Sequence, residues 1–196
     1  MKKDRTRLFM GFDLSGPVRT LLEEEIKHLK WLDEGVIKWV SPQNLHVTFI
    51  FLGSVSFARI SEIQRQMKQV TAGFSPFTFQ LKEVGFFPTE HFFRIVYRKI
   101  EETSQKLQEM YREMKQVLLG LAITVEERSF LPHVTLGRLR HARKSILPLV
   151  EEIKQVKDEE AKWQVSGLTL FQSLLKGPEP CYERLSVSPF VSKVKN

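Results

Sequence analysis

The tetrapeptide His46-Val47-Thr48-Phe49 recurs in the second half of the chain as His133-Val134-Thr135-Leu136. Polar and apolar residues alternate in both copies, which is typical of a half-buried β-strand. Residues two apart in a strand point to the same face, so each copy presents an imidazole and a hydroxyl together. If the two strands lie side by side, two histidines and two threonines converge on one cleft.

Strand-like and helix-like segments are interspersed on both sides of the repeat, and the second half resembles the first in outline. Strands are predicted at residues 7–14, 38–40, 45–51, 76–87, 92–97, 132–139, 163–174 and 182–187. Helices are predicted at about 18–32, 60–70, 107–118 and 144–156. Connections of hairpin length favour antiparallel pairing, so we expect an α+β fold with helices packed on antiparallel sheets.

Length and composition are those of one globular domain over residues 1–196, with 42% hydrophobic residues to form a core. The formal net charge of +7 favours a polyanionic partner, of which nucleic acid is the commonest, although a soluble protein can also be basic without such a partner. The basic run after the second motif could follow an RNA backbone or lie in a solvated loop. It contains Arg138, Arg140, Arg143 and Lys144.

Cysteine content and hydropathy bear on where the chain resides. A single cysteine, Cys181, can form neither an internal disulfide nor a cysteine-rich zinc site, which predicts a cytoplasmic protein. No apolar run approaches the roughly 20 residues that a membrane-spanning helix needs, so no membrane partner is expected.

The paired motifs suit phosphodiester cleavage by general acid–base catalysis. One neutral imidazole can accept a proton and one imidazolium can donate a proton near neutral pH. Threonine hydroxyls can donate hydrogen bonds to phosphate oxygens. A two-histidine metal site is the alternative, but neither motif contains an Asp, Glu or Cys as a further ligand, so we expect no metal and no other cofactor.

Several longer phrases around the motifs resemble one known family, the two-histidine (2H) phosphoesterases, and within it the RNA 2′,3′-cyclic phosphodiesterases, also called 2′–5′ RNA ligases. The resemblance covers nearly the whole chain. Its phrases are residues 7–14, 39–48, 51–53, 85–88, 128–138 and 170–173, with the late Tyr182. One departure is visible: the family usually has Arg-apolar-apolar-Trp where this chain has Arg94-Ile95-Val96-Tyr97.

The resemblance implies a bilobal fold of two pseudo-symmetric halves, with outer helices, around a central cleft. It also implies metal-independent hydrolysis of an RNA 2′,3′-cyclic phosphate to a 2′-phosphate, and reversible 2′–5′ ligation. By resemblance His46 is the general acid and His133 the general base, an assignment that the residues alone leave open. We expect a monomer whose partner is RNA with a cyclic phosphate end.

Further site residues follow from the resemblance, each with a structural alternative. Thr48, Thr135 and Arg128 are candidates for binding the phosphate, although Arg128 could equally be a solvated loop residue. Phe9 and Phe51 are candidates for stacking on the terminal base, although most of the 15 phenylalanines must belong to the core. Rival functions are a phosphodiesterase for small cyclic nucleotides or 2′–5′ oligonucleotides, and an RNA-binding module without catalysis.

Overall fold

A computed structural model describes residues 4–33, 35–89, 93–102, 104–125, 130–140, 147–155, 160–175 and 180–191. These residues form nine strands and four helices. Their order is β1 Arg5–Phe12, α1 Gly16–Leu32, β2 Ile37–Trp39, β3 Val47–Ser56, α2 Ile60–Thr71, β4 Phe77–Phe87, β5 Ile95–Glu101, α3 Lys106–Gly120, β6 His133–Leu139, α4 Leu147–Gln155, β7 Lys162–Val165, β8 Gly167–Leu175 and β9 Pro180–Pro189. The α+β class predicted from the sequence is confirmed.

The strands form one antiparallel sheet in the order β7-β4-β5-β6-β3-β1-β8-β9, with β2 paired to β6. The two strands that carry the repeat, β3 and β6, are neighbours at its centre. They divide the sheet into a first half (β3, β1, β8 and β9) and a second half (β6, β5, β4 and β7). The halves join through the antiparallel pair Val47–Val134, so the apolar residue of each repeat lies at the junction.

The apolar residues of both repeats are buried. Val47, Val134 and Leu136 have no exposed surface and Phe49 is 3% exposed. The helices pack on this side of the sheet because their apolar residues recur at helical spacing, as in the α1 stripe Val18, Leu22, Ile26 and Leu29. One hydrophobic cluster contains residues of both halves. The histidines and threonines are therefore left on the opposite face of the sheet.

One predicted strand proved wrong. Residues 163–174 form not a single strand but two, because the chain crosses between the halves at Ser166. Strand β7 pairs with β4 in the second half, whereas β8 pairs with β1 in the first. Each piece keeps an apolar pattern, so the sequence does not mark the break. No helix in the described ranges is long and apolar enough to cross a bilayer.

Candidate active site

The four polar residues of the repeat cluster around the junction of the two halves. His46 directly precedes β3 and His133 is the first residue of β6. Extending the antiparallel register from the Val47–Val134 pair sets His46 across from Thr135, and Thr48 across from His133. Such cross-strand neighbours have Cβ atoms about 4.5–5.5 Å apart. The fold thus brings the two predicted histidines and two predicted threonines together.

Both imidazoles are held in the same way. His46 donates a hydrogen bond from Nδ1–H to the carbonyl oxygen of Asn44 at 2.7 Å, and His133 does so to that of Leu131 at 2.8 Å. In each case the acceptor lies two residues before the histidine. A carbonyl oxygen only accepts, so Nδ1 carries the hydrogen and Nε2 is left for chemistry.

Nε2 of His46 lies 2.9 Å from Oγ1 of Thr48. A neutral His46 accepts this hydrogen bond from the threonine hydroxyl, and a protonated His46 donates it. By rotating its hydroxyl hydrogen, Thr48 can therefore keep this hydrogen bond in either protonation state of His46. In the register extended from the Val47–Val134 pair, Thr48 falls across from His133.

The surroundings of both histidines favour the neutral form. Burial lowers the pKa of His46 to about 4; the bond to the Asn44 carbonyl and the charge of Asp13 oppose this shift, while the positive charges of His133 and Arg19 add to it. Burial also lowers the pKa of His133, and the charge of Arg138 lowers it further. An anion bound between the rings would raise both pKa values, because an opposite charge stabilises imidazolium.

Asn44 is a buried positioning residue that the sequence reasoning did not single out. Its Nδ2 donates to the carbonyl oxygen of Pro180 at 2.8 Å, and the backbone N–H of Tyr182 donates to its Oδ1 at 3.3 Å. These bonds tie the loop before His46 to β9. Only the position of Asn44 at the end of the short 3₁₀ turn Pro42–Asn44 could have suggested this role.

Three aromatic rings pack against the His46 ring. The ring centroid lies 4.8 Å from Phe9, 5.7 Å from Phe171 and 5.1 Å from Tyr182. Gly11 leaves room for this packing: a Cβ there would lie 2.8 Å from the Val47 carbonyl oxygen and 3.6 Å from Cδ2 of His46. A glycine within an apolar strand run is the sequence signal for such a close approach.

The structure corrects the role predicted for Phe9. Its side chain is only 3% exposed and its ring stacks on Phe171 at 4.9 Å, so it presents no free face to a base. The Phe9 ring instead packs against the imidazole of His46. Phe51 differs, because it is 57% exposed while its ring centroid lies 6.1 Å from that of Phe9.

A β-bulge in each half brings the fifth residue after the histidine back to the cleft face. In β3, Thr48 pairs with Gly11 but Phe51 pairs with Phe9, and the two residues between Thr48 and Phe51 are both buried. In β6, Thr135 pairs with Tyr97 but Arg138 pairs with Ile95, and again the two residues between are buried. Phe51 and Arg138 therefore occupy equivalent positions in the two halves.

Strand β5 adds two residues beside His133 that the sequence reasoning did not assign. Lys99 pairs with His133 and forms an ion pair with Glu83 at 3.2 Å. Tyr97, the residue at which the chain departs from the family pattern, lies with its ring centroid 5.3 Å from His133.

Arg128, predicted to bind phosphate, lies outside the described residues. Among the described residues, no group of three or more His, Cys, Asp or Glu could hold a metal ion.

Two strands of the form His-x-Thr, joined at the centre of one antiparallel sheet, define a two-histidine phosphoesterase. The chain belongs to the 2′–5′ RNA ligase superfamily, whose family model matches residues 18–176. The family predicted from the sequence is thus confirmed.

The similar proteins cover nearly the whole chain. The RNA 2′,3′-cyclic phosphodiesterase of Thermotoga maritima is 31% identical over 179 residues, 91% of this chain and 92% of that protein. The enzyme of the same name from Methanothermobacter thermautotrophicus is 30% identical over 93% of this chain and 98% of its own.

Solved structures show the same fold. The protein TT0787 of Thermus thermophilus has a TM-score of 0.75 at 23% identity, covering 94% of this chain and 97% of that one. LigT of E. coli, complexed with 3′-AMP, has a TM-score of 0.68 at 22% identity, covering 95% and 98%.

Proposed function

We propose that this protein hydrolyses the 2′,3′-cyclic phosphate at an RNA end to a 2′-phosphate, with His46 and His133 as the acid–base pair. The observation that carries the proposal is the matched placement of the two imidazoles. Each is held by an Nδ1 hydrogen bond to the carbonyl two residues upstream, on one face of the β3–β6 junction. The names of the relatives from Thermotoga maritima and Methanothermobacter thermautotrophicus support the same substrate.

In the proposed reaction one histidine accepts a proton on one side of the phosphate, and the other histidine donates a proton on the opposite side. His133 Nε2 accepts a proton from water as the water oxygen bonds to phosphorus. The P–O3′ bond breaks, and His46 donates its Nε2 proton to the departing 3′ oxygen. A 2′-phosphate remains, with His133 protonated and His46 neutral, and proton exchange with solvent restores the starting state. The same sequence, with an RNA 5′-hydroxyl in place of water, joins the two RNA ends through a 2′–5′ linkage, and its reverse cleaves that linkage.

The low pKa of His46 makes its protonation depend on the substrate. With a pKa of about 4, this imidazole is neutral at neutral pH in the free protein. The anionic cyclic phosphate raises the pKa when it binds, so the acid is formed where the phosphate lies. Hydrogen bonds from Thr48 and Thr135 would stabilise the negative charge that builds on the phosphate oxygens in the transition state.

The residues that flank the histidines suit the two ends of a nucleotide substrate. On the His46 side, the exposed ring of Phe51 can stack on the terminal base, and stacking accepts any base. On the His133 side, Arg138 is exposed and can contact a phosphate oxygen, and Arg128 is proposed for the same purpose. The protein acts as a monomer and needs no metal in this proposal.

Product analysis on an RNA that ends in a 2′,3′-cyclic phosphate tests the proposal. We expect a 2′-phosphate product at the same rate with and without EDTA. A 3′-phosphate product would reverse the orientation of the substrate and the assignment of acid and base. Loss of activity with EDTA, restored by one divalent ion, would assign the reaction to a metal site.

A further inference from the structure

The aromatic ring of Tyr97 packs at an angle against the imidazole of His133. Tyr97 lies in β5, between Gly85 of β4 and Thr135 of β6. Its ring and that of His133 are 5.3 Å apart at an interplanar angle of 63°. In the first half of the sheet, Tyr182 of β9 makes the corresponding contact with His46, with the ring centroids 5.1 Å apart and an interplanar angle of 89°. Each imidazole therefore has one tyrosine packed at an angle against it.

Gly85 provides the space in which the Tyr97 ring lies. A Cβ built on Gly85 would be 2.5 Å from Cζ, 2.7 Å from the hydroxyl oxygen and 2.8 Å from Cε2 of Tyr97. These are the three nearest atoms, and all belong to Tyr97. The backbone of Gly85 is ordinary extended strand, so the conformation does not require glycine there. The glycine is needed because the tyrosine ring lies across β4 at this point.

The two histidines differ in what fixes their rings. His46 has a hydrogen bond on Nδ1, a threonine hydroxyl 2.9 Å from Nε2, and the packed rings of Phe9 and Phe171 beneath it. For His133, the contacts with described residues are the Nδ1 hydrogen bond to Leu131 and the packed ring of Tyr97. A ring packed against the imidazole restrains its rotation about the Cβ–Cγ bond, in addition to the hydrogen bond.

We propose that Tyr97, seated on Gly85, is a positioning residue that sets the ring plane of His133 and limits water on its β5 side. This proposal rests on the proposed function for its catalytic consequence, but the contact itself does not depend on RNA. The contact is between the two rings, so a phenylalanine, which keeps the ring and lacks the hydroxyl, should preserve it. Misplacing a proton-transfer group by about 1 Å can cost up to about 100-fold in rate.

Several charged or titratable groups surround His133 and remain in a Tyr97 variant. They are His46 before β3, Lys99 on β5, Arg138 on β6, Lys38 on β2 across from Arg138, and Glu83 on β4 paired with Lys99. Burial is the largest cause of the lowered pKa of His133. Removing the Tyr97 ring admits water, so the pKa of His133 should rise toward its ordinary value while these charges stay in place.

The experiment combines an NMR titration of the histidine ring protons, without RNA, with kcat and KM on the cyclic-phosphate RNA. We expect Tyr97→Ala to raise the titration midpoint of His133 and to lower kcat by about 10- to 100-fold, with little change in KM. Tyr97→Phe should retain wild-type values. Tyr182→Ala is the matched control, because it should shift the midpoint of His46 and not that of His133.

A double-mutant cycle with Gly85 isolates the contact. Gly85→Ala should displace the Tyr97 ring and reproduce the Tyr97→Ala effects, yet add nothing in a Tyr97→Ala background. Unchanged His133 midpoint and kcat in folded Tyr97→Ala protein would overturn the proposal, as would fully additive losses in the cycle. If Tyr97→Ala does not fold, Tyr97→Leu replaces it with the same expectations. If the wild-type protein does not hydrolyse the RNA, the proposed function fails, while the His133 midpoints still decide the proposal.

Discussion

At the scale of single residues, the site depends on which imidazole nitrogen is free. The carbonyls of Asn44 and Leu131 both take the Nδ1 hydrogen, so Nε2 of each ring faces the reaction. General acid or base catalysis by a positioned side chain typically contributes about 10²–10⁴-fold in rate. The two histidines should therefore contribute comparable amounts, although they differ in burial and in neighbours.

His46→Ala and His133→Ala should each lower kcat for hydrolysis by about 10²–10⁴-fold while the protein stays folded. Rates measured on the cyclic-phosphate RNA, with circular dichroism for the fold, check this expectation. His28→Ala is the matched control, because His28 is exposed on α1, away from the cleft. Near-wild-type rates in either cleft variant would remove the proposed role of that histidine. Thr48→Ala and Thr135→Ala should cost less, because a neighbouring donor can partly substitute.

The pKa of His46 also makes the protein less stable in acid. The folded state holds this pKa at about 4, below the ordinary value of 6.5, so its contribution is fully present above pH 6.5 and is lost as the pH falls toward 4. From pH 7 to pH 5 the loss is about 2 kcal/mol. Replacing His46 by glutamine should reduce the acid-induced loss of unfolding free energy by about that amount, as measured by urea denaturation at both pH values. An unchanged difference between the two pH values would contradict the buried position of this ring.

At the scale of the secondary-structure elements, the two bulges in β3 and β6 decide what the cleft contains. Strict alternation after His46 would place Ile50 in the cleft and Phe51 in the core. The bulge reverses this order, so Ile50 is 2% exposed and Phe51 is 57% exposed. Arg138 reaches the cleft through the same irregularity in β6. The two equivalent positions differ in chemistry, because the strand that follows His46 carries an aromatic ring there and the strand that begins with His133 carries a cation.

The close contact between β1 and β3 beneath His46 can be tested with Gly11→Ala. The new Cβ would lie 2.8 Å from a backbone oxygen, that of Val47, which cannot move without disturbing the β3–β6 junction. We expect a loss of about 1–3 kcal/mol in unfolding free energy together with reduced hydrolysis. Gly120→Ala at the end of α3 meets no atom within 4 Å and should be neutral or slightly stabilising. Equal stability of the two variants would show that β1 can shift away from His46 without cost.

At the scale of the whole molecule, the net charge of +7 and the cations around the cleft should favour RNA over a mononucleotide. Each phosphate contact releases counterions, so binding should weaken as salt rises, and more steeply for a longer RNA. We expect kcat/KM to be higher for a cyclic-phosphate oligonucleotide than for a cyclic mononucleotide at low salt, with the difference shrinking at high salt. Equal efficiency at every salt concentration would favour a phosphodiesterase of small cyclic nucleotides.

A pair of arginine variants locates this electrostatic contribution. Arg138→Ala removes a cation from the cleft face. It should reduce the slope of the logarithm of the RNA binding constant against the logarithm of salt concentration by about one. Arg112→Ala removes an exposed cation from α3, on the helical side of the sheet, and should leave the salt dependence unchanged. Equal effects of the two substitutions would mean that the net charge, and not a groove at the cleft, attracts the RNA.

Local rules predict the class of fold and the pairing of side chains within each motif, because alternation in a strand places His46 with Thr48 and His133 with Thr135, and helical spacing marks the helices. The family came from the resemblance of the longer phrases around the motifs and not from these rules. The positions of Phe51, Arg138, Tyr97, Asn44 and the break at Ser166 were decided only by the tertiary structure. A bulge shifts the face of every later residue in a strand, and a strand's neighbours are set by pairings between residues far apart in sequence. Neither property is encoded in the residues of the strand alone, so a buried Phe9 and an exposed Phe51 could not be distinguished until β1, β3 and β8 were placed side by side.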